Sequence, residues 1–191
     1  EGGGNGEMGF DHSAGEFIKV IDYAATQSNI PFMSIKVTGL SRFGLLEKLD
    51  VLMNDAEGSL MKKYCKAIEL LNSDEQAEWQ KVRERMQTIC ERANEKNVGV
   101  LIDAEETWIQ DPVDALTISM MDVFNRGALV VYNTLQLYRI DRLIFLKDCY
   151  EAAVEREFVL GVKLVRGAYM ENERKRAAQM NYPSPIQEDK E

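Results

Sequence analysis

Three charged side chains interrupt runs that are otherwise apolar: Lys36 in residues 32–38, Asp103 near the end of 98–104, and Lys163 in 159–165. A charge inside an apolar strand is costly unless it is paired or used. Paired with one another, the three would form an ion-pair network plugging the end of a sheet. Delivered from separate strands to one end of a sheet, they would form a reactive site, because each strand holds its group rigidly. Asp103 is followed by Ala104, Glu105 and Glu106, a set that suits a divalent metal, an organic substrate or, through Glu106, the start of a helix. Asn133 and Gln136 stand at the end of another apolar run, and Lys163 is followed by Arg166, Gly167, Ala168 and Tyr169. Gly167 and Ala168 would let the backbone approach a flat or phosphorylated ligand closely. A desolvated strand lysine, Lys163 or Lys36, also suits Schiff-base chemistry of the aldolase kind.

The elements that must position these groups alternate. In residues 16–26, Phe17, Val20, Ile21, Ala24 and Ala25 fall on one helical face, and 32–38 reads as a strand. The pattern repeats with a helix from residue 74 and a strand at 98–104, a helix at 114–124 and a strand at 128–133, and a helix at 141–155 and a strand at 159–165. A helix at 171–179 and a polar tail follow. Strands that alternate with helices and are apolar on both faces predict an α/β fold with a buried parallel sheet, whose chemistry collects at the carboxyl ends of the strands. Residues 59–71 read as an inserted helix, and 73–76 as a capping box with Ser73 as N-cap and Gln76 as its partner. Residues 1–15 are glycine-rich and read as a mobile end, leaving 16–191 as the folded unit. These glycines are no phosphate cradle, since no strand precedes them. His12, within this stretch, reads as an exposed bystander.

A 191-residue chain with 45% hydrophobic and 29% charged residues suits one globular domain. The net charge of -9 argues against nucleic-acid partners. Cys65, Cys90 and Cys149 are odd in number and far apart, and read as small apolar residues rather than a disulfide or a metal site. Neither a membrane span nor a targeting leader is expected.

The segments VKLVRGAY and MENERKRAAQM, with SIKVTGL, LIDAEETW and YNTLQLY before them, resemble the proline dehydrogenase family in order and spacing from about Glu16 to Pro185. The stretch around residues 50–80 is more similar to the stand-alone enzymes than to the bifunctional bacterial protein. The resemblance implies part of a distorted (βα)8 barrel that holds FAD, oxidises L-proline or hydroxyproline, and passes electrons to a membrane quinone through peripheral contact. It implies a cytoplasmic or inner-membrane-associated protein in a bacterium and a mitochondrial one in a eukaryote. Lys36 would pair with the substrate carboxylate, Tyr169 would pack against the substrate ring, and Asp103 would be the active-site aspartate. Ala104, Gln136, Arg166, Gly167 and Ala168 would contact the flavin. Lys163 stands where many bacterial members carry the arginine beside flavin N5, a point charge in place of a planar fork. A complete barrel of this kind needs about 250 residues, so the chain reads as a fragment that is not expected to turn over by itself. A non-catalytic scaffold is the remaining alternative.

Overall fold

The computed structural model describes residues 6–188. Its elements are α1 (Glu7–Ala25), β1 (Phe32–Ile35), α2 (Phe43–Asn54), α3 (Leu60–Leu70), α4 (Ser73–Lys96), β2 (Gly99–Ile102), α5 (Thr107–Phe124), β3 (Val131–Gln136), α6 (Arg142–Arg156), β4 (Val162–Val165) and α7 (Met170–Met180). Among the described residues the strands form one parallel sheet in the order β1-β2-β3-β4. The expected alternation of helix and parallel strand is therefore present.

Several boundaries differ from those expected. The first five residues of the glycine-rich stretch lie outside the described residues, but from Glu7 the chain is helical rather than a mobile end, with Phe10 and Ala14 buried. Arg85 explains the extension: its buried guanidinium pairs with Glu7 at 2.6 Å and Asp11 at 2.7 Å, tying the start of α1 to α4. His12 is exposed on α1, as expected. The capping box of α4 begins one residue early. Asn72 is extended and accepts from the Glu75 amide at 2.9 Å, while the Glu75 carboxylate accepts from the Asn72 amide at 3.1 Å. Ser73 is already helical. Helix α5 starts well before Asp114 and carries Pro112 inside it. Helix α2 was not anticipated, although Leu45, Leu46, Leu49 and Met53 carry its buried face at helical spacing. The expected inserted helix is α3. Cys90 and Cys149 are buried, which pushes both thiols up to about 12, whereas Cys65 is exposed.

One face of the sheet is dry. Met33, Ile35, Val100, Ile102 and Val131 pack beneath the helices with Leu46, Leu49, Met86, Ile89 and Ile109. Polar groups in this layer are satisfied. Asn125 donates to the carbonyls of Val131 at 2.8 Å and Val159 at 2.9 Å, and accepts from the amides of Val130 at 3.0 Å and Val131 at 2.9 Å. All four bonding positions of its amide are used, which pins the entries of β3 and β4. A Cβ at Gly161 would overlap the Val131 carbonyl oxygen, so only glycine lets β4 lie this close to β3. Asp114 accepts from Gln110 and Asn133, both at 2.9 Å, and from Arg142 at 2.7 Å. The Asn133 side chain thus serves the helix layer rather than the site.

Asp50 on α2 is buried, accepting from the Asp111 amide at 3.1 Å and the Asn54 side chain at 2.9 Å. Burial, reinforced by the charges of Asp111 and Asp114, pushes its carboxyl up to about 7. The folded state therefore keeps a proton that the unfolded chain loses above 3.8. This contribution to stability is fully present below the unfolded value and is lost as pH rises through about 7. Asp50→Asn removes the ionisation, so its melting temperature relative to the parent should climb between pH 4 and pH 8, by the equivalent of on the order of a few kcal/mol. A gap that does not change with pH would show that Asp50 is not the titrating group.

Candidate active site

The site follows from parallel register. Ile35 pairs with Ile102, Ile102 with Asn133, and Thr134 with Lys163. One residue further on, Lys36, Asp103, Thr134 and Lys163 stand at a single level on the face opposite the dry core, since side chains alternate along a strand. Lys36 lies just past β1 because residues 37–39 tighten into a 3-10 turn, and Asp103 just past β2, where its amide still donates to the Ile35 carbonyl at 2.9 Å.

Between Asp103 and Lys163 stands Thr134, and two strand spacings separate the outer residues by about 10 Å. Thr134 is short, and its hydroxyl donates to the Ile102 carbonyl at 2.7 Å. Lys163 can therefore reach across it and bond Asp103 directly. Both side chains remain 27% exposed, so the pair opens onto the mouth of the sheet. Lys36 does not join this pair as a plug would require. Its ammonium donates to the Tyr169 hydroxyl at 3.0 Å and lies 5.7 Å from the centre of the Tyr169 ring. That hydrogen bond raises the Lys36 pKa, helped by the negative charges of Glu105 and Asp103 and opposed by burial. A Schiff-base amine has to be neutral to attack, and Lys36 is held in the opposite state.

The next layer braces the first. Thr38 donates to both carboxylate oxygens of Glu105, at 3.1 and 3.0 Å. Burial raises the Glu105 pKa, against the pull of Thr38 and of the Lys36 charge. Gln136 donates to the Glu105 carbonyl at 2.7 Å and to the Tyr138 hydroxyl at 2.8 Å, and accepts from Arg139 at 3.3 Å. Ala104 is buried between Asp103 and Glu105. Glu106 is the N-cap residue of α5, but its side chain makes no capping bond. Arg166, Gly167 and Ala168 are exposed in the turn leaving β4. Tyr169 has φ 55°, in the left-handed region, and opens α7; for a bulky residue this conformation persists only where its surroundings hold it. Thr38, Tyr138 and Glu173 carry no role in the sequence reading, and Glu105 enters it only as one of the carboxylates following Asp103. Past the end of β2 the chain leaves the strand, so the partners of Asp103 and Glu105 are set by folding rather than by spacing. Among the described residues no group of three His, Cys, Asp or Glu side chains is placed to hold a metal.

The family model for proline dehydrogenase matches residues 6–191. The chain belongs to the proline dehydrogenase family. It is 33% identical over 175 residues to the carbapenem antibiotics biosynthesis protein CarD of Pectobacterium carotovorum subsp. carotovorum, covering 91% of this chain and 42% of that protein. Over 195 residues it is 30% identical to hydroxyproline dehydrogenase of Xenopus laevis, covering 97% of this chain and 42% of the relative. The chain thus spans about two fifths of the length of these relatives. Among solved structures, proline utilization A (PutA) of Bdellovibrio bacteriovorus inactivated by N-propargylglycine superimposes with a TM-score of 0.71 at 17% identity, over 96% of this chain and 18% of that one. At that identity the likeness concerns the fold: the arc of parallel strands and covering helices is part of a barrel of this kind.

The Lys36–Tyr169 bond can be tested without turnover. Tyr169→Phe removes the acceptor that raises the Lys36 pKa, so acylation of Lys36, followed by peptide mass spectrometry across pH, should reach half its maximal rate at lower pH than in the parent. An unchanged profile would mean that the two side chains do not meet in solution.

Proposed function

We propose that the full-length protein oxidises L-proline, or its hydroxylated form, with FAD and passes the electrons to a quinone. The observation that carries this is the level formed by Lys36, Asp103, Thr134 and Lys163, with Tyr169 beside it. The names of the relatives support the substrate: one is a hydroxyproline dehydrogenase and others are mitochondrial proline dehydrogenases of Dictyostelium discoideum and Homo sapiens. In a eukaryote the proposed location is accordingly mitochondrial. Among the described residues no helix is long and apolar enough to cross a membrane.

The residues present fit a flavin. The mouth presents Lys163, paired with Asp103, and Lys36, which has no carboxylate hydrogen-bond partner among the described residues, cations suited to an anionic substrate and to a group that gains negative charge. The exposed turn at Gly167 and Ala168 leaves main chain free for a flat ligand. Ala104, Gln136, Arg166, Gly167 and Ala168 are the residues we assign to holding it, Gln136 chiefly by bracing the loop that carries Ala104. When bound, the flavin supplies the hydride acceptor.

Forming the C=N bond requires the substrate to lose a hydride from carbon and a proton from nitrogen. Lys163 sets a positive charge where negative charge develops, which favours the transition state over the ground state. Asp103 orients that ammonium and lies where it can also meet the substrate amine. Lys36, charged and free of a carboxylate partner among the described residues, anchors the substrate carboxylate. Tyr169 fixes the Lys36 ammonium with its hydroxyl and offers its ring to the substrate.

The visible spectrum of the purified full-length protein should show a flavin band that bleaches on addition of proline. Lys163→Ala should slow that bleaching by about 10²-fold in a single turnover while changing the substrate dissociation constant by less than about threefold. A parent protein that binds no flavin would refute the assignment, and an unchanged bleaching rate in the variant would remove Lys163 from it.

A further inference from the structure

Glu173 lies on α7, one helical turn beyond Tyr169, and is 1% exposed. A buried carboxylate is expensive unless its oxygens are satisfied. Both are: Oε1 accepts from the Thr107 amide at 2.7 Å, and Oε2 accepts from the Thr107 hydroxyl at 2.7 Å. Thr107 is the first residue of α5, so the charge also sits at the positive end of that helix dipole. This end has no cap of its own, since the Glu106 side chain makes none; the cap arrives from another helix. Beside it, the Arg176 guanidinium stacks on the Trp108 ring at 4.2 Å from the centroid.

The consequence concerns the site. The short loop 103–106 joins Asp103 to the start of α5, and Tyr169 opens α7, its carbonyl accepting the Glu173 amide at 2.9 Å. The bond from Glu173 to Thr107 therefore ties the element that carries Tyr169 to the loop that carries Asp103. Tyr169 sits in a left-handed conformation, which has to be held from outside. From these contacts we infer that Glu173 is a positioning residue, acting through Tyr169 to hold the substrate-facing ring at a fixed place opposite Asp103. This rests on the role proposed for Tyr169.

The test is a double-mutant cycle in the full-length holoenzyme. Glu173→Ala should raise KM for proline about tenfold, with a smaller fall in kcat, because a loosened wall costs binding first. Calorimetry with a non-oxidisable proline isostere should show the same loss of affinity. Glu173→Gln should restore affinity to within about threefold, since its carboxamide can accept from the Thr107 amide and donate to the Thr107 hydroxyl. In a Tyr169→Ala background, Glu173→Ala should change KM by no more than about twofold. Equal factors in both backgrounds, or no effect in the parent, would overturn the inference while leaving the proposed function standing. Absence of proline turnover in the unsubstituted protein would overturn both. If Glu173→Ala does not fold, Thr107→Ala removes one of the two hydrogen bonds and enters the same cycle, read by the same comparison.

Discussion

Everything at the mouth of the sheet depends on parallel register. Side chains alternate along a strand, so a slip of one residue in β4 would turn Lys163 toward the helices and bring Leu164 to the open face. Two features oppose that slip. Asn125 spends its whole amide on the chain around Val130, Val131 and Val159. Gly161 accepts an approach by the Val131 carbonyl that any side chain would block. Neither residue touches the site, yet together they decide which side chain of β4 faces Asp103.

The two faces of the sheet handle charge differently. On the helix side, Asp114 is fully buried with Arg142, Gln110 and Asn133 around it. Asp141 continues the network; burial opposes its ionisation, but the hydrogen bonds and charges of Arg142 and Arg139 hold its pKa down to about 2. These charges are matched inside the protein. At the open end the matching is looser: Lys163 bonds Asp103, while Lys36 bonds the Tyr169 hydroxyl and meets the charges of Glu105 and Asp103 only at a distance. Lys36 is left without a bonded carboxylate among the described residues because Tyr169 stands against it.

Loops at this end are held by side chains from distant parts of the chain. Glu105 is fastened by Thr38 through its carboxylate and by Gln136 through its carbonyl. The strap at 185–187 closes over the turn after β3, with the Ile140 amide donating to Pro185 at 3.0 Å and the Gln187 amide to Tyr138 at 2.9 Å. Such cross-bracing gives the loops at the mouth of the sheet a rigidity that bonds within each loop could not supply.

Local pattern was enough for the alternation of helix and strand, the α/β class, and the delivery of Lys36, Asp103 and Lys163 to one end of the sheet, because apolar runs are properties of adjacent residues. The segments from SIKVTGL to VKLVRGAY also carried the family. Boundaries failed where a partner outside the segment decided them: α1 begins at Glu7 because Arg85 receives it, and β3 begins at Val131 because Asn125 pins the chain there. Helix α2 is not apparent from local pattern alone because its apolar face is completed by α5 and α3, which arrive from later in the chain. The pairing of charges was likewise tertiary. The sequence by itself determined that three costly charges lie at strand ends; only the folded chain decided that Lys163 takes Asp103 across a small Thr134 and that Lys36 takes Tyr169 from the far end of the chain, since hydrogen-bond partners 133 residues apart are chosen by register and helix placement, not by spacing.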